Sequence, residues 1–283
     1  MKSNDLFRRK ESLPLIITPD FSRKAETLEV CVAMLNGPQP IEQYLEKANI
    51  QSDCIIANQC DHYSFQSLSF RNHSVTVINT AERGVGLNRN NAWMRTSADI
   101  VLFADDDMVF LDGYPETALK AFRENPHADV IVFNIQEETP TVPQYSRPFY
   151  TRKTGFGAVR IAVRRQILRM HGIAFNLSFG GGCPFSHGED TIFLSSCLRA
   201  GLKILVYPAF LARLTEERPS TWFSGFTDRY YFDKGVAVAA AGMKWPVLSL
   251  VLSDIRHRKF SPGKPYRNQI KCLRSGIRFY RNM

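Results

Sequence analysis

The chain lacks any paired cysteine spacing. Its six cysteines, Cys31, Cys54, Cys60, Cys183, Cys197 and Cys272, are scattered without a CxxC, which argues against a disulfide framework and against a cysteine-rich zinc module. The six histidines show no zinc-ligand spacing either. No secretory signal pattern opens the sequence, so reduced thiols and a cytoplasmic location are expected. Long apolar runs are also missing. The longest, Val236 to Leu252, is broken by Gly242, Lys244 and Pro246 and is too short and interrupted for a membrane span; a buried helix is the competing reading. There is no internal repeat and no low-complexity tract. Acid is scarce at one end only. The net charge is +9 over 283 residues, and from Lys244 to Met283 a single acid, Asp254, stands against ten lysines and arginines. That segment holds the whole excess, and a neutral body with a basic tail suggests an anionic surface as partner.

What is present is a strand–helix alternation. Apolar strands are expected at Val30–Leu35, Cys54–Ala57, Val75–Ile78, Ile100–Phe103, Val130–Asn134, Ala158–Arg164 and Leu202–Tyr207, with a short edge strand at Leu15–Thr18 in an otherwise irregular leader. Helices are expected at Ile41–Ala48, Leu87–Thr96 (with Leu87, Asn91 and Met94 on one side), Pro115 to just before Pro126, Arg165–Met170 and Asp190–Ala200, the last closed by Gly201. Pro140–Thr154 reads as a loop. Such alternation implies a mostly parallel sheet, with a functional site outside the carboxyl ends of its strands.

Three clusters stand at such places. The strand Ile100–Phe103 runs into Asp105-Asp106-Asp107. Three adjacent carboxylates repel one another, and oxygen-only ligands suit a hard divalent cation such as Mg²⁺ or Mn²⁺, which is commonly shared with substrate phosphates. A solvated acidic turn explains the triplet equally simply. The second cluster is Gly180-Gly181-Gly182 followed by His187-Gly188-Glu189-Asp190. Acids at a helix start answer its dipole, while the glycines would let a substrate approach them closely. The third is Arg83-Gly84-Val85-Gly86-Leu87-Asn88-Arg89, a glycine-rich loop entering a helix, where main-chain amides could meet a phosphate. Taken alone, Arg83 and Arg89 read as solvated surface cations.

In combination, the segments GVGLNRNNAW, DIVLFADDDMVF and FGGGCPFSHGEDTIFLSSCLRAGLKILVYP resemble, in order and spacing, those of the inverting family 2 glycosyltransferases. The resemblance spans about residues 29 to 210. It implies a GT-A fold: a Rossmann-like α/β domain with a mostly parallel central sheet, helices on both faces and, here, a basic helical C-terminal extension. It divides the chain into a leader (1–28), a catalytic domain (29–220, nucleotide-sugar half to about 110, acceptor half after) and the extension (221–283). Asp107 would bind Mn²⁺ or Mg²⁺, with Asp105 contacting the ion or the donor. Asp106, Asn36, Asn58, Gln59, Arg83, Gly86 and Arg89 complete the donor set. Asp190 would be the catalytic base, and Glu189 would shape an acceptor pocket that includes Gly181, Gly182 and His187. The implied reaction moves a sugar from a nucleoside diphosphate donor, UDP the expected nucleotide, to a saccharide or lipid-linked saccharide acceptor in surface polysaccharide or glycan assembly. Such an acceptor would place the protein peripherally on the inner face of the plasma membrane.

Some features depart from the family pattern. The strand ends that usually carry T-Y-N and D-D-G-S-x-D read Met34-Leu35-Asn36 and Ala57-Asn58-Gln59-Cys60-Asp61, so an amide replaces the usual base-reading acid. The later H-x-x-x-S-T element becomes Arg213 to Thr221, where Arg218 could contact phosphate but reads more simply as an exposed salt-bridging arginine. Trp222, Phe223, Phe226, Tyr230, Tyr231 and Phe232 form an aromatic stretch suited to sugars or to a core. Two rivals remain. A sugar-nucleotide pyrophosphorylase would need a G-x-G-x-R-L-type loop after the first strand, where Asn36-Gly37-Pro38-Gln39-Pro40 stands. Nucleic-acid binding would rest on the basic tail alone and is not expected. In that tail Ile270, Leu273 and Ile277 recur at helical spacing between Lys271, Arg274, Arg278 and Arg281. Such a helix either lies in an anionic interface or packs on the body.

Overall fold

The computed structural model describes residues 26–136, 144–215, 225–242 and 266–283. The leader strand Leu15–Thr18, Arg218, Trp222, Phe223 and the apolar run beyond Gly242 lie outside them. The elements in chain order are β1 (Leu28–Leu35), α1 (Glu42–Lys47), β2 (Asp53–Gln59), β3 (Ser64–Phe70), β4 (His73–Thr80), α2 (Val85–Trp93), β5 (Ile100–Asp105), β6 (Met108–Phe110), α3 (Tyr114–Glu124), β7 (Val130–Gln136), β8 (Phe149–Thr151), β9 (Ile161–Arg164), α4 (Arg165–Met170), α5 (Glu189–Arg199), β10 (Ile204–Leu214), α6 (Asp228–Ala240) and α7 (Tyr266–Arg281).

The strands join one sheet in the order β3-β4-β2-β1-β5-β9-β7-β10-β6, with β8 paired to β10. Its centre, β4-β2-β1-β5, is parallel, as is β7-β10. Between these blocks β9 runs antiparallel to both β5 and β7. Alternate strand residues point to opposite faces. Val30, Val32, Leu102 and Ala104 therefore join α1 and α3 in one core, and Cys31, Val101 and Phe103 join α2, α4 and α5 in the other. This is a mixed α/β fold with a largely parallel central sheet and helices on both faces, the architecture that the resemblance implies. All six cysteines are free thiols.

Several expectations shift in detail. Ala158–Arg160 is a 3₁₀ turn, and the strand begins only at Ile161. The loop expected at Pro140–Thr154 contains β8, and the strand expected at Leu202–Tyr207 runs from Ile204 to Leu214. The edge strand β3 and the short β6 have no counterpart in the sequence reading: β3 shows no apolar run, and β6, Met108-Val109-Phe110, is apolar but only three residues long. Helix α2 begins at Val85, and its buried residues include Asn88, Arg89, Asn90, Ala92 and Trp93, whereas Met94 is 55% exposed.

The C-terminal helices α6 and α7 form a pair. Leu273 and Ile277 are buried with Tyr231 and Val238 of α6, so the apolar face of α7 is covered by protein. Arg267, Lys271, Arg274, Arg278 and Arg281 are exposed on its other side, and any anionic surface would meet cations there rather than an apolar face. Among the described residues no helix is long and apolar enough to cross a membrane. Two glycines allow the close crossing. A Cβ on Gly276 would lie 2.1 Å from the Phe232 carbonyl oxygen, and one on Gly235 2.2 Å from that of Leu273. Both obstacles are backbone, so the helices must part. Gly276→Ala is expected to destabilise the protein by about 1–3 kcal/mol, the usual cost of overpacking, read as a lowered melting temperature.

Candidate active site

The carboxyl ends of β1, β2 and β5 meet the N-terminal ends of α2 and α5. Strand β5 lies parallel to β1 with Asp105 opposite Ala33, which carries the aspartate triplet to the rim of the sheet. The Asp106 carboxylate accepts from the Leu35 amide at 3.2 Å, tying the triplet to the end of β1. The Asp107 carbonyl accepts from the amide and the hydroxyl of Thr215, at 2.8 and 2.9 Å, and the residue itself is exposed.

The two glycine-rich segments, about a hundred residues apart in sequence, pack on each other. The Val85 amide donates to the Gly181 carbonyl at 2.9 Å. Gly180 has φ +99, and a Cβ there would fall 2.4 Å from Val85 and 2.8 Å from the Glu189 carboxyl carbon. Here glycine is required by both backbone conformation and space. Gly86 serves packing as well, since a Cβ would lie 2.6 Å from the Asn176 carbonyl oxygen.

Helix α2 organises the site. It has no apolar stripe because three successive polar residues are buried, each reaching a different element. The Asn88 amide donates to the Met34 carbonyl at the end of β1. Asn90 both donates to the Phe175 carbonyl and accepts from its amide, at 2.9 Å each. Arg89, only 3% exposed, donates through one terminal nitrogen to both Asp105 oxygens (2.9 and 3.1 Å) and through the other to Asp190 (2.8 Å) and Glu189 (3.2 Å). The reading of Arg89 as a solvated cation is corrected by this burial. It was unreadable from the sequence because its partners lie in two distant segments.

Four charges in one place perturb one another. Burial opposes the charge on Arg89, but Asp105, Asp190 and Glu189 outweigh it and hold its pKa above the ordinary value. The Asp190 side chain is 23% exposed, and its carboxyl is pushed up to about 7, first by burial and then by Glu189, with Arg89 pulling the other way. Glu189 and Asp190 open α5, yet neither acts as a side-chain cap; the N-cap is Gly188. Both acids stand in the first turn of α5, as its dipole favours, and their contacts with Arg89 come in addition to that.

The remaining expected residues divide. Arg83 donates to the Cys60 carbonyl at 2.6 Å, at the end of β2. Asn36, with φ 50, sits exposed where β1 ends. Asn58 is 2% exposed, accepts from the Gly37 amide and donates to Asn79. Gln59 accepts from the Gly84 amide at 2.7 Å. These amides brace the strand-end loops, and Asn58 is buried among its protein partners. His187 stacks on Tyr230 of α6 at 4.7 Å and contacts the Ser186 hydroxyl. Burial and Lys234 push its pKa down to about 4, with Asp233 opposing. Gly181 and Gly182 face the other glycine-rich segment: the Gly181 carbonyl accepts from the Val85 amide, and a Cβ on Gly182 would lie 3.0 Å from the Gly84 amide nitrogen. Sequence reading missed Asn88, Asn90 and Phe175; the available signal was a polar run, Asn88 to Asn91, inside a helix otherwise expected to be amphipathic.

A largely parallel α/β sheet holds its ligands beyond the carboxyl ends of its strands, and these acids cluster there. The chain belongs to glycosyl transferase family 2, whose model matches residues 26–186. It is an enzyme of that GT-A family. Among solved structures it is similar to S. aureus TarS 1–349 in complex with UDP-GlcNAc (TM-score 0.62, 16% identity, covering 89% of this chain and 81% of that one). It is also similar to S. aureus TarS 1–349 in complex with UDP (TM-score 0.57, 15% identity, 86% and 77% covered). These likenesses establish the fold. No curated protein matches the chain in sequence.

Proposed function

We propose that this glycosyltransferase moves a sugar from a UDP-sugar to an acceptor hydroxyl in one inverting displacement, with Asp190 as base. The observation that carries the reading is the meeting of Asp105, Glu189 and Asp190 around Arg89, beside exposed Asp107. A carboxylate there takes the acceptor proton as the hydroxyl attacks the anomeric carbon, a step that depends on placement more than on basicity. Glu189, in contact with Gly180, shapes the acceptor side. Arg83, Asn36 and the strand-end loops would surround the nucleotide, with the donor half running to about residue 110 and the acceptor half after it within 29–220.

The donor set fits a divalent cation. It is all oxygen, it lies at a strand-end turn, and Asp107 is exposed, which suits Mn²⁺ or Mg²⁺. Asp107 would be the principal ligand and Asp105, engaged by Arg89, the secondary one. When bound, the ion offsets the charge that builds on the nucleoside diphosphate as it leaves. The acceptor is read as a saccharide or lipid-linked saccharide of surface glycan assembly. The outward cations of α7 support work near an anionic surface.

The test is a donor panel. UDP-, GDP- and dTDP-sugars, UDP-GlcNAc first because it was crystallised with TarS 1–349, are titrated with Mn²⁺ and with EDTA, and nucleotide release is followed. Binding and release are expected for a UDP-sugar in Mn²⁺ and not in EDTA. Undiminished binding in EDTA would remove the metal from this reading, and preference for GDP would change the nucleotide.

A further inference from the structure

Arg89 is too thoroughly engaged by protein to be read simply as a donor-phosphate ligand. Its guanidinium is buried, and both terminal nitrogens are held by carboxylates from two chain segments: Asp105 at the end of β5, and Glu189 and Asp190 at the start of α5. Its plane has an apolar support. The guanidinium carbon lies 5.3 Å from the centre of the Phe175 ring. That ring is stacked on Phe193 of α5 at 4.3 Å and stands edge-on to Phe103 of β5 at 5.1 Å. Asn90, the next residue on α2, fixes Phe175 through both main-chain groups. The same two elements, β5 and α5, are thus bridged twice, once by charge and once by stacked rings, and α2 supplies or holds both bridges.

We propose that Arg89 is a positioning residue that sets the acceptor-side base Asp190 in register with the donor-side acid Asp105. The proposal rests on the reading of Asp190 as base. A planar guanidinium can hold carboxylates at both ends at once, whereas a lysine ammonium is a single point charge on a flexible stem. Lysine therefore retains a positive charge but loses the register. Misplacement of a reacting group by about 1 Å costs on the order of 100-fold in rate.

The experiment is a double-mutant cycle on the full chain. Arg89→Lys, Asp190→Asn and the double variant are compared by three readouts: UDP affinity in Mn²⁺, melting temperature, and the rate of UDP release from UDP-GlcNAc with water as the acceptor. In the wild-type background Arg89→Lys is expected to slow release by about 100-fold while UDP affinity stays within about threefold, because the register acts in the transition state. In the Asp190→Asn background the same substitution is expected to cost less than about threefold, since residues acting as a unit are not additive. Equal costs in both backgrounds would overturn the proposal. So would a collapse of UDP affinity, which would make Arg89 a donor ligand. Wild-type release by Asp190→Asn alone would instead remove the base assignment on which the proposal stands. If Arg89→Lys does not fold, Phe175→Leu removes the ring under the guanidinium and leaves every charge. Its loss of rate must also disappear in the Asp190→Asn background, and persistence of that loss would overturn the proposal.

Discussion

Asp190→Asn is expected to lower the rate of UDP release about 10²–10⁴-fold, the usual contribution of a general base, while UDP and Mn²⁺ affinity stay close to wild type. The amide keeps the size of the side chain and loses the site for the proton. Parallel loss of donor affinity would show instead that Asp190 holds the donor or the fold. The pH profile supplies an independent check. A base must be ionised, and the Asp190 carboxyl is pushed up to about 7 by burial and by Glu189. Activity should therefore fall as pH drops through about 7, tenfold per unit well below it, and Asp190→Asn should abolish that limb. The effect on stability has the opposite sense. A carboxyl whose folded pKa is raised binds its proton more tightly when folded than when unfolded, where it titrates near 3.9. Its contribution to stability is fully present below that value and lost as pH rises through about 7. The Asn variant should lose less stability than wild type over that interval, measured by melting temperature against pH.

The second large effect is expected at Asp107. Asp107→Asn should weaken Mn²⁺-dependent UDP binding and slow release by roughly 10²–10³-fold, as several kcal/mol of charge stabilisation are lost with a ligand that a neutral amide replaces poorly. The residual binding should no longer respond to EDTA. An Asp107→Asn protein as active in chelator as wild type is in Mn²⁺ would end the metal assignment. Asp105→Asn should behave differently. Asp105 is tied to Arg89 at 2.9 Å, so its loss is expected to disturb the base as well as the donor, and to lower the melting temperature because breaking a buried pair from one side leaves a charge without its partner.

Much of this architecture was legible in the sequence because it depends on local pattern. Apolar runs ending in Asp105 or in Asn58-Gln59 mark strands of a parallel sheet, whose carboxyl ends share one edge, so the aspartate triplet had to stand at that edge. The order and spacing of three short motifs pointed to the family, and the proline and glycine at the ends of α3 and α5 placed those helices. What depends on partners far apart in sequence was not legible. A buried arginine and a solvated one look alike in sequence, and only the packing of Gly180 and Gly181 on Val85 brings Glu189 and Asp190 within reach of Arg89. The edge strand β3 carries no apolar run, and the antiparallel insertion of β9 follows from chain path rather than composition. The basic tail showed an amphipathic helix; that its apolar face rests on α6 was decided by Gly235 and Gly276, whose missing side chains let two backbones approach more closely than any other residue would allow.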